Sequence, residues 1–392
     1  MADRQYDVPG DDLSRYGGAT SQIPKLEMDD DLQRVPGPEQ VATPQRQVAS
    51  YAWYNPRGWP LRTRLIVAAV IIVVVIGVVV GAVEGTKKAP YPDYLKLNYK
   101  LVDTYSGSSF FNRFDYYSGE DPTDGFVQYV NRSTATSLNL TYATSDSVVI
   151  KVDTVSKNAT NGRQSVRLES KTSYDSGLFI FDIIHTPYAC GLWPALWLTD
   201  TYNWPVNGEI DVVETNNLAT EGNAVTLHTT EGCKMDVKRK ETGTPEYVTC
   251  GNETHGNAGC GVRGTPSTYG PEMNKNGGGV YALELRDAGI RAWFFSRDSI
   301  PSDIDSSGAP DPSTWGTALA DFPNTHCDIS SHFKNQSIIT NIDLCGQLGA
   351  SHQFYTEQYH CPKTCESFVR SNPGNFTQAY WEFRSFKVYQ AS

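Results

Sequence analysis

The sequence predicts an all-β body, a sandwich or jelly roll, preceded by one membrane-spanning helix and an N-terminal tail without fixed structure. Three observations carry this prediction. Many short runs with strand-like alternation follow residue 91, no long helical period appears among them, and a single uncharged apolar run precedes them. Many short strands without helices are typical of sandwiches and jelly rolls, although the strand order cannot be derived from them.

The first segment, residues 1–60, is rich in Pro, Gly, Asp and Gln and has few apolar runs. Such a composition buries too little apolar surface to offset the entropy of folding. We therefore expect a disordered tail on the cytosolic side of the membrane.

The second segment, residues 65–83, reads LIVAAVIIVVVIGVVVGAV and holds nineteen residues without a charge. This length is enough for a helix to span a bilayer. A cleavable signal peptide would stand at the extreme N-terminus with a shorter apolar core, so we interpret this run as a signal-anchor. Gly77 and Gly81 form a small-xxx-small pair, which indicates a possible weak transmembrane homodimer.

The orientation of the chain follows from residues on either side of the span. The net positive charge is slightly larger before the span than after it, which favours a cytosolic N-terminus. All eight cysteines and all six N-x-S/T sequons lie after the span. We therefore expect a single-pass type II protein whose body, residues 89–392, is lumenal or extracellular and contains disulfides. The sequons are Asn131, Asn139, Asn158, Asn252, Asn335 and Asn375.

The body contains runs of alternating or β-branched residues, most of them bounded by Gly, Asn, Asp or Pro, and these predict strands. No second linker interrupts the body, so it is expected to be one domain. The predicted strands are 147–155, 177–184, 191–198, 223–230, 279–287, 289–296 and 380–389.

Composition narrows the range of partners. The formal net charge is −11, which argues against nucleic acid and against acidic polymers. The 22 tyrosines and 8 tryptophans suit a β-rich core, and they also suit a protein that binds sugars. Neutral ligands therefore remain the favoured class.

The segment VNGEIDVVETNN, residues 206–217, places three carboxylates close together. Glu209 and Asp211 share one face of a strand, whereas simple alternation turns Glu214 to the other face. A β-bulge at Val212 and Val213 would add one residue and return Glu214 to the first face. The sequence therefore predicts a bulged strand with three acids on one surface.

Three carboxylates on one surface repel one another, and this repulsion raises the pKa of at least one of them. One ionised and one protonated carboxyl group are what glycoside hydrolysis requires. A calcium site is the competing interpretation of an acid cluster, but the intervening Ile and Val and the lack of a carbonyl-rich loop weigh against it. We expect no metal and no cofactor.

The motif resembles glycoside hydrolase family 16, and in particular its fungal laminarinase-like endo-1,3(4)-β-glucanases. E-I-D-V-V-E follows N-G and is preceded by G-L-W-P-A-L-W-L. The likeness extends over nearly all of residues 100–390 and includes FDYYSGEDPTDGFVQYV (114–130), TLHTTEGC (226–233), GNAGCGV (256–262) and residues 277–304. The resemblance implies a concanavalin A-like jelly roll with a concave cleft and retention of configuration. It also implies that Glu209 is the nucleophile, Asp211 its helper and Glu214 the acid/base.

The walls of the expected cleft can be interpreted in the same way. Trp193 and Trp197 share one strand face, and we expect Trp193 to contact sugar, since indole rings suit the apolar faces of sugars. Trp204 precedes the acids and is expected at the rim, and His228 is expected in the cleft by family likeness.

Cys250, His255 and Cys260 offer a possible zinc site. In a lumenal domain, disulfide use of the two cysteines is favoured over this alternative.

Three functions stay open at this point. The first is hydrolysis of internal β-1,3 or mixed β-1,3/1,4 glucan bonds. The second is wall remodelling, in which the glycosyl intermediate passes to another sugar, as in related membrane-anchored fungal proteins of β-1,6-glucan assembly. The third is a non-catalytic glucan-binding module, which the intact acidic motif disfavours.

Overall fold

The computed structural model describes residues 58–86, 91–305 and 309–392. The chain divides into two units, Met1–Gly77 and Val78–Ser392. Most of the predicted tail, residues 1–57, lies outside the described residues. The strand region belongs to the second unit.

The predicted span lies within one helix, α1 (Leu61–Thr86). In the described part of the chain, this helix alone has the length and apolar composition needed to cross a membrane. Its described Ile, Leu and Val side chains are largely exposed, for example Val73 at 68% and Ile71 at 57%. The helix begins four residues before the predicted span, so that Arg62 and Arg64 belong to its first turn.

The second unit is built from short strands, which confirms the predicted fold class. In chain order the strands are β1 (Tyr99–Ser106), β2 (Phe114–Tyr117), β3 (Val127–Tyr129), β4 (Thr141–Ala143), β5 (Val148–Lys151), β6 (Arg163–Ser165), β7 (Arg167–Tyr174), β8 (Gly177–His185), β9 (Leu192–Thr199), β10 (Glu209–Glu214), β11 (Ala224–His228), β12 (Thr244–Pro245), β13 (Cys260–Arg263), β14 (Gly279–Arg286), β15 (Gly289–Ser296), β16 (Ala320–Pro323), β17 (Gln336–Leu344) and β18 (Tyr380–Ala391).

Short helices occupy several connections between strands, a feature that the sequence did not indicate. They are α2 (Arg132–Ser137), α3 (Gly270–Lys275), α4 (Ser302–Asp305), α5 (Ile329–His332), α6 (Gly346–Gly349) and α7 (Cys365–Ser371). With at most seven residues each, they are too short to show a clear helical period.

Most strands form two large antiparallel sheets, and β3 pairs with β6 in a small parallel one. The first sheet has the order β16-β15-β14-β8-β18-β5-β4, with β1 also paired to β18. The second has the order β12-β13-β11-β10-β9-β17-β7-β2. One large hydrophobic core contains side chains of both sheets, such as Phe181 and Phe386 from the first and Leu196 and Ile210 from the second. The two sheets therefore form a sandwich, and the other face of the second sheet is turned away from this core.

All eight cysteines form disulfides, as expected for a lumenal or extracellular body. The pairs are Cys190–Cys361, Cys233–Cys327, Cys250–Cys260 and Cys345–Cys365. Because Cys250 and Cys260 are joined, they cannot be thiolate ligands, and the alternative of a zinc site at these cysteines was wrong.

Each of the seven predicted runs contains a strand, but the observed strand ends differ from the predicted ones. One difference has a clear cause in a side-chain hydrogen bond to the backbone. The run 147–155 is a strand only over Val148–Lys151. It stops early because Asp153 Oδ1 accepts a hydrogen bond from the backbone N–H of Val155 at 2.9 Å, which turns the chain.

Asp153 also anchors the most deeply buried cation of the body, Arg163, whose side chain is fully buried. Arg163 Nη1 lies 3.1 Å from Asp153 Oδ2. Its remaining donors reach backbone carbonyls, among them those of Val369 and Arg370 in the last turn of α7. This one guanidinium thereby joins β6, the turn after β5 and the end of α7.

We predict that Arg163→Met lowers the free energy of unfolding by about 3–5 kcal/mol, because the carboxylate of Asp153 stays buried without its cation. Urea unfolding of the purified full-length protein in detergent measures the effect. Exposed Lys157 in the same turn is the control, since Lys157→Ala should change stability by less than about 0.5 kcal/mol. Equal effects of the two substitutions would contradict the structural role of Arg163.

Candidate active site

The three predicted acids lie on the face of the second sheet that is turned away from the core. Ile210, Val212 and Val213 of β10 all belong to the core, and Glu209, Asp211 and Glu214 stand before, between and after them along the strand. Two valines in succession can both face the core only if the strand alternation is interrupted between them.

The interruption is the predicted bulge. Against β9, Asp211 pairs with Trp197 and Glu214 with Ala195, and the register shifts between Asp211 and Val213. The pairing with β11 also shifts between Asp211 and Glu214. The bulge at Val212 and Val213 is therefore confirmed, and it returns Glu214 to the face of Glu209 and Asp211.

Two predicted tryptophans lie beside the outer acids of this set. Trp193 Nε1 donates a hydrogen bond to Glu214 Oε1 at 2.7 Å. Trp204 is 41% exposed, and its indole opposes the rise in the pKa of Glu209. The sequence predicted Trp193 as a sugar contact and Trp204 at the rim, but it did not indicate that both residues adjoin the acids.

His228 on β11 lies directly across from Glu209 in the strand register. Its Nε2 is 3.3 Å from Asp211 Oδ2, and its Nδ1 is 3.1 Å from Asn257 Oδ1. Among the described residues, Asp211 Oδ2 has no donor with good hydrogen-bond alignment, so the approach of His228 is an ion pair. The histidine thus belongs to the acidic cluster.

The environment makes all three acids hard to ionise together. Burial, and then the charge of Asp211, raises the pKa of Glu209. Burial and the charge of Glu214 raise the pKa of Asp211. Burial also raises the pKa of Glu214, against the lowering effect of the Trp193 N–H. Glu209 and Asp211 each affect the pKa of the other, so the two carboxyl groups titrate as a pair.

The pKa of His228 shifts in the opposite direction from that of an ordinary buried histidine. Burial alone would lower its pKa, but the neighbouring carboxylate of Asp211, with the charges of Glu209 and Glu214, raises the pKa to about 10. The imidazolium therefore supplies one positive charge to three acids at neutral pH.

Glu209, Asp211 and His228 offer three ligand atoms within 4.8 Å of one another, a spacing that a metal ion could bridge. A metal needs the neutral imidazole, whereas this ring is held protonated by the acids around it. The imidazolium already provides the positive charge that a cation would bring.

The site face continues across β9, β17 and β7. Trp197 Nε1 donates to Asn341 Oδ1 at 2.9 Å, and the Arg167 guanidinium lies 5.1 Å from the Trp197 ring centroid. Arg167 also lies 4.8 Å from the ring of Tyr117 and forms an ion pair with Glu169 at 2.8 Å. Sequence reasoning missed Arg167 and Asn341, because it recognised neither β7 nor β17 as a strand.

The loop that precedes β10, residues 200–208, is anchored by one carboxylate. Asp200 Oδ2 accepts hydrogen bonds from the side-chain amides of Asn203, Asn207 and Asn335 at 2.7–3.0 Å. At the end of the loop, Gly208 has φ +70 and leaves no room for a Cβ, which would lie 2.5 Å from the Phe333 ring. These contacts set the position of Trp204 relative to Glu209.

The arrangement joins two glutamates, each beside an indole ring, to a central carboxylate and an imidazolium cation. Such a cluster can keep one carboxyl group ionised and ready to attack while another holds a proton for a leaving group. Aromatic side chains and hydrogen-bonding groups beside the acids suit a neutral, hydroxyl-rich ligand.

Comparisons with known proteins agree with this chemistry. Residues 114–389 match the family described as "XgeA-like, catalytic GH16 domain". A probable glycosidase of Schizosaccharomyces pombe is 46% identical over 305 residues, which cover 76% of this chain and 71% of that protein. A probable endo-1,3(4)-beta-glucanase of Aspergillus niger is 41% identical, and the match covers 75% of this chain but only 40% of that longer protein.

Two solved structures resemble the body closely. The GH16 laminarinase 16A from Phanerochaete chrysosporium, with 6-O-glucosyl-laminaritriose in its donor and acceptor sites, has a TM-score of 0.72 and 41% identity. An elongating family 16 beta-1,3-glucosyltransferase has a TM-score of 0.70 and 40% identity. The matches cover 75% and 74% of this chain, respectively, and the whole of each solved chain.

Proposed function

The chain belongs to glycoside hydrolase family 16, and on this premise we propose that its body is a retaining endo-β-glucanase acting on internal β-1,3 or mixed β-1,3/1,4 bonds. The observation that carries the proposal is the bulge in β10, which brings Glu209, Asp211 and Glu214 onto one face of the sheet. The chain spans less than half the length of the Aspergillus relatives that it matches, so the activity is argued from its own site.

In the first step, the ionised carboxylate of Glu209 attacks the anomeric carbon while the protonated carboxyl group of Glu214 gives its proton to the departing oxygen. The glycosidic bond breaks, and the sugar is held on Glu209 as an ester. In the second step, Glu214 removes a proton from a water molecule, and the resulting hydroxide equivalent releases the sugar with its original configuration.

The neighbours of the two glutamates support these roles. Burial and the charge of Asp211 raise the pKa of Glu209, whereas the charge of His228 and the indole of Trp204 oppose this rise and so act toward the ionised form that a nucleophile requires. Asp211 lies on the same strand face as Glu209 and is paired with His228, so it can hold a proton while Glu209 is ionised and attacks. The assignment of nucleophile and acid/base between the two glutamates follows their order in the family motif.

The substrate class follows from the relatives and the site together. Several relatives are named endo-1,3(4)-beta-glucanases, and the Phanerochaete structure contains β-glucans. In this chain, the aromatic and amide side chains Trp193, Trp197, Trp204 and Asn341 suit an uncharged sugar polymer. The strongly acidic body likewise disfavours an anionic polysaccharide.

A second candidate function is transfer of the glycosyl intermediate to another glucan, which would remodel the wall rather than degrade it. The likeness to an elongating β-1,3-glucosyltransferase supports this candidate. The chemistry is the same up to the ester on Glu209, and only the acceptor in the second step differs. The third function, glucan binding without catalysis, gains no support from this site, because the three acids are arranged as catalysis requires.

We also propose the organisation of the whole chain. Residues 1–60 are a cytosolic tail, residues 65–83 cross the membrane as a signal-anchor, and residues 89–392 form the catalytic domain on the lumenal or extracellular side. The apolar helix α1 and the four disulfides support this arrangement. A weak homodimer through Gly77 and Gly81 remains part of the proposal.

We predict that the full-length protein in detergent cleaves laminarin, lichenan or both within the chain and leaves pustulan intact. Early products should be a spread of oligosaccharides whose newly formed ends keep the β-configuration, which chromatography and NMR measure. Products longer than the starting oligosaccharide would instead identify the transferase. No change in any of the three glucans would contradict both catalytic functions.

The roles of the two glutamates can be separated with activated substrates. We predict that Glu209→Ala lowers turnover of every glucan by about 10⁴-fold or more, because no ester can form. Glu214→Ala should spare the first step for aryl glycosides, whose leaving groups need no proton, and a glycosyl-enzyme should accumulate for mass spectrometry.

Azide provides the matching control, since a small anion can replace the missing group. It should rescue Glu209→Gly with a product of inverted configuration, and it should rescue Glu214→Ala with a retained product. Equal loss of Glu214→Ala activity on activated and natural substrates, without a trapped ester, would contradict the assignment.

Topology can be tested in sealed microsomes. Added protease should leave the 89–392 body intact until detergent opens the membrane, because the body is expected inside the lumen. Endoglycosidase treatment should lower its apparent mass, since its sequons meet the lumenal glycosylation machinery. Digestion of the body without detergent would overturn the proposed orientation.

A further inference from the structure

The loop of residues 250–260, closed by the Cys250–Cys260 disulfide, packs directly against His228. Asn257 Oδ1 lies 3.1 Å from His228 Nδ1. Two residues later, a Cβ added to Gly259 would lie 2.8 Å from His228 Cε1 and 2.6 Å from the carbonyl oxygen of Leu227. The loop therefore touches the imidazole both through a side-chain amide and through its backbone.

The backbone of this loop adopts an unusual conformation where it meets the ring. His255, Gly256 and Asn257 have φ values of 50, 64 and 64, and Gly259 has 65. Non-glycine residues persist in the left-handed region where the surrounding structure determines their position, and such residues cluster at functional sites. Here the conformation carries the amide of Asn257 to the one imidazole nitrogen that does not face Asp211.

The two neighbours of the ring are both acceptors. The carboxylate of Asp211 approaches Nε2, and the amide oxygen of Asn257 approaches Nδ1, so both nitrogens must carry a proton. The charged groups that act on His228 are Asp211, Glu209 and Glu214, all on β10. Among the loop's own titratable groups, Glu253 and His255 are exposed.

We propose that Asn257 is a positioning residue that holds the His228 ring so that its Nε2–H faces Asp211, and thereby sets the charge of the Glu209–Asp211 pair. The proposal rests on the proposed function of that pair. Asp211 Oδ2 has no aligned hydrogen-bond donor among the described residues, so rotation of the ring away from it would also remove its ion-pair partner. The imidazolium favours the ionised forms of both acids, so its displacement should make each acid hold its proton more tightly.

The test compares substitutions that fit the backbone equally well. Asn257→Gly keeps the left-handed conformation and removes the acceptor, whereas Asn257→Asp keeps an acceptor oxygen in place. For laminarin hydrolysis, Asn257→Gly should lower kcat by about tenfold or more, the scale of a lost orienting hydrogen bond, and leave KM nearly unchanged. The acid limb of its pH profile should move to higher pH, because Glu209 must be ionised to attack. Asn257→Asp should restore both properties.

His255→Gly is the matched control. His255 is exposed, has the same left-handed backbone and stacks on Tyr247 at 5.1 Å. Its substitution should change neither kcat nor the pH profile. A double-mutant cycle adds a second readout, since Asn257→Gly should have no further effect on kcat in a His228→Gln protein. Equal loss in the Gly and Asp variants, or full additivity with His228→Gln, would overturn the positioning role.

A substrate-free measurement separates this inference from the proposed function. NMR titration of the His228 imidazole should show a lower pKa in Asn257→Gly than in the wild-type and Asn257→Asp proteins. An unchanged His228 pKa would refute the inference even if the enzyme is active. A wild-type protein that cleaves no glucan would refute the proposed function, while the titration still decides the role of Asn257.

Discussion

One extra residue in β10 is the constraint on which the active site depends. Without it, a strand that begins with Glu209 and Asp211 on one face would turn Glu214 into the core beside Ile210. The bulge lets Val212 and Val213 both pack inside, and it stretches the spacing between the second and third acids. A bulge is usually a local irregularity, but here it places the three acidic side chains of β10 on the same face of the sheet.

The bulge creates an electrostatic problem that the neighbouring strands solve. Three carboxyl groups near one another in a buried setting cannot all be charged. β9 contributes the N–H of Trp193, the loop before β10 contributes that of Trp204, and β11 contributes the imidazolium of His228. Each acid thus has a neighbouring N–H group from a different element, so that the sheet order β11-β10-β9 is itself part of the site.

Much of the active site could be predicted from the sequence, because the face on which a side chain lies depends on the alternation of residues along a single strand. The out-of-step Glu214 revealed the bulge, and the spacing of Trp193 and Trp197 revealed their common face. The remainder depends on contacts between distant segments. β17, although it lies beside β9, was missed because its polar residues Thr340, Asn341 and Asp343 dilute the strand pattern. Asn257 was missed because nothing local in GNAGCGV indicates that the loop folds back onto His228.

The amide of Asn335 belongs to an N-x-S sequon and also donates to Asp200 at 3.0 Å. A glycan would be attached to that same nitrogen, which in the folded protein is engaged by the carboxylate that anchors the 200–208 loop. A glycosylated amide keeps one N–H, so the exposed Asn335 can carry a glycan and still donate to Asp200 only if the sugar replaces the hydrogen that points away from the carboxylate. Occupancy at this sequon therefore reports whether the anchor of the loop that carries Trp204 leaves room for a sugar beside it.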